Sequence, residues 1–172
     1  MAESPDTLAA ALPVDVLEHA DRVLDLAKAR KLSLATAESC TGGLLAALLT
    51  DVPGCSHLFD RGFVTYSEEA KCEMIGVDRG RLDEYGAVSR EIARDMAQGA
   101  LNNSNADVAV SITGYAGRTP DGGEEGLVHF ACAMRGGPIA DREEHFGALG
   151  RAGVRKKALV AALEMMEEAL KQ

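Results

Sequence analysis

Along PVDVLEHADRVLDLAKARK, residues 13–31, apolar side chains return at Val16, Leu17, Ala20, Val23, Leu24 and Ala27. That spacing predicts a helix with one buried stripe; Pro13 suits its first turn, and the basic residues gathered at its end complement the helix dipole. The short apolar run LSLAT, 32–36, predicts a buried strand, and a second helix follows over Gly42 to Thr50. GFVTY, 62–66, has the β-branched and aromatic content of a strand. Ser67 then opens a helix that closes near Gly76, and Ser89 caps another over 89–101, with Ile92, Met96 and Ala100 on one face. ADVAVSITG, 106–114, is the clearest buried strand; LVHFACAM is another, and ADREEHFG reads as an edge strand with its charges outward. A long amphipathic helix runs from about Gly153 to Leu170, where Met165 and Met166 pack it on the core. The order α-β-α-β-α-α-β-β-β-α predicts an α/β sandwich with at least one antiparallel pair. Nothing resembling a repeat or a linker divides the 172 residues, so 1–172 reads as one domain.

Composition narrows the function classes. Eighteen basic residues against 27 acidic ones leave a net charge of −9. A general nucleic-acid grip needs a basic face, so nucleic acid is not an expected partner, and an anionic ligand must be held by local features. The absence of a span-length apolar stretch argues against a membrane partner, and MAESPDTLAAALP lacks the basic start of a signal peptide. The four cysteines, Cys40, Cys55, Cys72 and Cys132, include no CxxC pair, which fits a reduced cytoplasmic protein and gives no metal-site spacing.

Three stretches carry candidate chemistry. In TAESCTGG a strand end is followed by small polar residues, two glycines and a helix. Backbone N–H groups at such a terminus can cradle a phosphate, with Ser39, Thr41, Gly42 and Gly43 lining it; a plain helix cap fits the same residues. In PGCSH, Ser56 follows a Pro-Gly turn and reads either as a turn serine or as a nucleophile. VTYSEEAK downstream supplies Tyr66 and Lys71, and a lysine whose pKa has been lowered by burial can deprotonate a serine. Their ordinary fates are a strand-end aromatic and a solvated helix residue. In SITGYAG, Thr113, Gly114 and Gly117 stand where a strand ends, the usual place for ligands in α/β sheets; a Gly-rich turn is the plainer reading.

Taken together, AESCTGGLLAALLTDVPG, RGFVTYSEEAKCEMIGV, YGAVSREIARDMAQGAL and ADVAVSITGYAG resemble the CinA C-terminal domain family, which includes stand-alone nicotinamide-nucleotide amidohydrolases. The resemblance implies a three-layer α/β/α sandwich with a mixed sheet and no metal or cofactor. It also implies a small-molecule nucleotide substrate, homodimers, and hydrolysis of the nicotinamide mononucleotide carboxamide to nicotinic acid mononucleotide and ammonia. Carried over residue by residue, it places the catalytic serine on Ser56, the tyrosine on Tyr66 and the lysine on Lys71. Ser39, Thr113 and Arg151 take the remaining site positions. The chain departs from the family pattern in three places: Cys55 stands for a serine, the loop reads GYAGRTPDGGEEGLV, and FGALGR lacks an aspartate.

The expected mechanism is attack by Ser56, with Lys71 as base and Tyr66 as relay. One rival uses the Cys40 or Cys55 thiol with His57, Cys40 gaining a lowered pKa at a helix start. Another rival, motivated by the altered loop, is a pyridine-nucleotide-binding regulatory module without turnover. His19 and His145 read as surface residues, and His129 has no visible partner.

Overall fold

The computed structural model describes residues 12–119 and 122–172. The reading of the first eleven residues as lacking a signal peptide, and positions 120 and 121 of the Gly-rich loop, lie outside them. The described residues form α1 (Val14–Arg30), β1 (Leu34–Glu38), α2 (Leu44–Thr50), β2 (Phe59–Val64), α3 (Glu68–Ile75), α4 (Arg79–Tyr85), α5 (Arg90–Asn102), β3 (Val108–Gly114), β4 (Leu127–Met134), β5 (Ile139–His145) and α6 (Gly150–Leu170). The five-stranded sheet has the order β2-β1-β3-β4-β5. Its β2, β1 and β3 strands are parallel, while β4 and β5 continue it antiparallel. Helices cover both faces, so the architecture is the expected three-layer α/β/α sandwich with a mixed sheet.

The two faces are built differently. Against α1, α2 and α6 the central strands present large side chains, among them Leu34, Val110, Ile112, Val128 and Phe130. Against α3, α4 and α5 they present alanines: Ala35, Ala37, Ala109, Ala131 and Ala133. Small side chains let α5 lie close to the sheet, and the same crowding reaches its outer side. At Gly99 an added Cβ would sit 2.1 Å from the Ile75 carbonyl oxygen at the end of α3. Backbone cannot yield as a flexible side chain can, so Gly99→Ala is expected to cost about 3 kcal/mol and to lower Tm by about 6–12 °C in a thermal melt.

The local signals place most elements. Ser67 and Ser89 accept hydrogen bonds from the N–H groups of Ala70 and Ile92, capping α3 and α5, and Gly76 closes α3 at φ 70°. Several boundaries differ from expectation: β1 and β2 lie at 34–38 and 59–64, not 32–36 and 62–66, α2 and β3 start at Leu44 and Val108, not at Gly42 and Ala106, and α6 starts at Gly150, not Gly153. The α4 helix was not anticipated. It has one buried residue, Leu82, so it lacks an apolar stripe, and its signal is the Asp78 cap on the Arg81 N–H. His19 is not a surface residue: it is 8% exposed, with Nε2 2.7 Å from the Glu167 carboxylate of α6. His145 is exposed, between Glu124 and Glu143, while His129 is buried with its Nδ1 3.6 Å from Glu143. Met165 and Met166 are buried in the core as expected.

Candidate active site

The parallel strands β1, β2 and β3 deliver their carboxyl ends to one side of the molecule, where a cavity of about 530 Å³ opens. Ser39 follows β1 directly; its N–H donates to the Ile112 carbonyl, which anchors it to the end of β3. From the β2 side, the Thr65 N–H donates to the Glu38 carbonyl, and the chain passes through Tyr66 into α3. One turn into α3 stands Lys71. Although α3 is largely exposed, this lysine points inward and is 1% exposed.

The Lys71 Nζ donates to the Ser39 Oγ at 3.2 Å and to the Thr65 carbonyl at 2.9 Å. Burial pushes its pKa below the ordinary lysine value, against the pull of the nearby Glu68 carboxylate. An ammonium held under neutral hydroxyl and carbonyl partners loses hydration it does not recover, which favours the free amine. The pair therefore sets a hydroxyl within hydrogen-bond reach of an amine that gives up its proton more readily than an ordinary lysine.

Further residues complete the cavity. Tyr66, 61% exposed, stands at the mouth, and its hydroxyl accepts a hydrogen bond from Arg151 Nη2 at 3.0 Å. Thr113 is 1% exposed and donates to the Ala87 carbonyl at 2.7 Å, tying the end of β3 to the segment before α5. Gly114 is required by close packing, since a Cβ there would meet the Leu127 carbonyl oxygen at 2.7 Å. The cavity thus gathers Ser39, Tyr66, Lys71, Thr113, Gly114 and Arg151. Sequence reasoning did not single out Glu68, Ala87 or Val88, which also line it; Tyr115 and Arg118 line it too, on the loop that departs from the family pattern and was expected to face the ligand. Ala87 and Val88 sat inside a quoted family block, but nothing in their chemistry marked them.

Ser56 is placed elsewhere. It is exposed and lines a separate cavity with Pro53, Gly54, Cys55 and Phe59. It precedes β2, whereas Tyr66 and Lys71 follow it, so the strand's six residues put about 20 Å between the two ends. Cys55 shares that remote position, as does the exposed His57 that precedes Leu58 at the start of the sheet. Cys40 does line the cavity that holds Ser39 and Lys71, but its thiol pKa is pushed up to about 11, chiefly by burial. That is opposite to the activation the thiol route requires.

The phosphate cradle is occupied by the chain itself. Glu38, 1% exposed, turns its carboxylate onto the start of α2 and accepts from the N–H groups of Gly43 (3.1 Å), Leu45 (3.0 Å) and Ala46 (2.8 Å). Gly42 and Gly43 have φ of 62° and 92°, the left-handed backbone that lets the chain turn sharply into the helix. Thr41 is fully buried beneath that turn. The TAESCTGG glycines serve the turn, then, and the helix terminus is satisfied by an internal anion.

Among the described residues, no group of three or more His, Cys, Asp or Glu side chains is disposed to hold a metal ion, and no helix is long and apolar enough to cross a membrane. All four cysteines are free thiols.

Comparison with known proteins identifies relatives with the same fold. The family model for the CinA C-terminal domain matches residues 17–170. The nicotinamide-nucleotide amidohydrolase PncC of Escherichia coli K12 is 46% identical over 156 residues, covering 88% of this chain and 93% of that protein. A CinA-like protein of Chlorobium limicola is 46% identical over 137 residues; the match covers 77% of this chain and 32% of that longer protein. The crystal structure of competence/damage inducible protein CihA from Agrobacterium tumefaciens superposes with a TM-score of 0.88 at 43% identity, covering 94% of this chain and 98% of that one.

Proposed function

This chain belongs to the CinA C-terminal domain family, and on that premise we propose that it is an amidohydrolase acting on nicotinamide mononucleotide. The products are nicotinic acid mononucleotide and ammonia, and Ser39 is the nucleophile and Lys71 the base. The observation that carries this reading is the 3.2 Å contact between the Ser39 hydroxyl and a buried Lys71 amine whose pKa is lowered. The name carried by the Escherichia coli relative, 46% identical, supports the substrate. Ser39 takes the role that the sequence reading gave to Ser56, because Ser39 is the serine beside the base.

In this mechanism the neutral Lys71 Nζ accepts the Ser39 proton as Oγ attacks the carboxamide carbon. The tetrahedral oxyanion is stabilised by the backbone N–H of Cys40, the residue after the nucleophile. Lys71 passes the proton to the carboxamide nitrogen, the C–N bond breaks, and ammonia leaves behind a Ser39 ester. Water then attacks that ester as Lys71 takes its proton; the acid is released and the proton returns to Oγ. Tyr66 offers its exposed ring to the pyridine at the mouth. Arg151 provides the charge-assisted donor for the phosphate, since the α2 terminus is already filled.

The test is incubation of the purified protein with nicotinamide mononucleotide. Ammonia and nicotinic acid mononucleotide should appear in equal amounts. Failure to form either one, with the protein folded, removes the proposal.

A further inference from the structure

We infer that Arg155 is a positioning residue for the Ser39 turn, an inference that rests on the reading of Ser39 as nucleophile. Arg151 and Arg155 stand four residues apart on α6, and so share one face of the helix. Arg151 reaches the cavity mouth. Arg155 reaches underneath: its Nη2 donates to the Thr41 carbonyl and lies 3.6 Å from where a Cβ on Gly42 would be.

The turn is clamped from two directions. Within it, the Gly42 N–H donates to the Ser39 carbonyl at 3.0 Å. Glu38 fixes the amides that follow, and Arg155 fixes the carbonyl between, from a different layer of the fold. Removing the guanidinium would leave the carbonyl of a fully buried residue without that donor and would free the backbone one peptide beyond Cys40. The side chain is also poorly chosen for stability alone, because its Nε is buried with no hydrogen-bond partner. A buried donor without a partner is a cost, and such local costs are characteristic of functional sites.

The measurements are kcat and KM for ammonia release by Arg155→Ala and Arg155→Lys, the rate at which a fluorophosphonate labels Ser39, and amide hydrogen exchange across residues 40–43. Arg155→Ala should lower kcat by about 10- to 100-fold with KM unchanged, as expected when a reacting group is misplaced by a fraction of an ångström to an ångström. Labelling of Ser39 should slow, exchange should quicken, and lysine should restore most of the rate. Wild-type kcat in the alanine variant, a rise in KM at constant kcat, or failure of lysine to rescue would each overturn the inference. If the wild-type protein neither releases ammonia nor labels at Ser39, the catalytic reading fails by itself. The exchange measurement still tests the clamp, and unchanged protection in Arg155→Ala would overturn it.

Discussion

Replacing Ser39 by alanine should lower ammonia release from nicotinamide mononucleotide by about 10⁴-fold or more, the scale seen when a nucleophile is removed from a serine hydrolase. Ser56→Ala should leave the rate unchanged. The contrast follows from placement. The Ser39 Oγ is the hydroxyl in contact with the Lys71 amine, whereas Ser56 lines a different cavity at the other end of β2. Steady-state kinetics on the two variants, with mass spectrometry of any trapped ester, decides between them. A fully active Ser39→Ala would refute the dyad, and an inactive but folded Ser56→Ala would restore the other serine.

Lys71→Met should separate activity from stability. Without a base, turnover should fall by about 10²–10⁴-fold. Stability should move the other way as pH falls, and the sign follows from proton binding. Burial puts the folded-state pKa of Lys71 below its unfolded value, so between those two values the unfolded chain holds a proton that the folded chain lacks. Wild-type stability therefore rises with pH through that window, and below it the folded protein must bury an ammonium. Methionine fills a similar volume and carries no such cost. The difference in Tm, variant minus wild type, should grow more positive as pH is lowered and shrink towards pH 10. The wild-type rate should rise with pH through the lowered lysine pKa. A Tm difference flat across pH would show that the amine is not held neutral.

Several site residues were legible before the fold was known. Ser39, Tyr66, Lys71, Thr113, Gly114 and Arg151 were all singled out, and all line one cavity. What the linear pattern hid was which end of a strand each loop serves. Ser56 and Lys71 are near neighbours in sequence, but a strand lies between them, and residues flanking one strand lie at its opposite ends. Shifting the expected strand from 62–66 to 59–64 makes this plain, since β2 begins three residues after Ser56. The fold class was readable because α1 carries a clear apolar stripe and because β3 and β4 are unbroken apolar runs that end up buried along their length. The α4 helix was not, because a single buried leucine in seven residues leaves no stripe. Glu38 was visible in TAESCTGG, yet only the backbone geometry shows its carboxylate folded onto the helix it precedes.

That carboxylate has a consequence for how the ligand must lie. With the Glu38 carboxylate already accepting from three backbone N–H groups at the start of α2, a phosphoryl group brought there would not find those donors open. A nucleotide bound as proposed would therefore lie with its ring towards Ser39 at the end of β1 and its phosphate towards Arg151 in the first turn of α6. On that proposal, the direction of the ligand would follow from a side chain turned away from it, onto the start of α2.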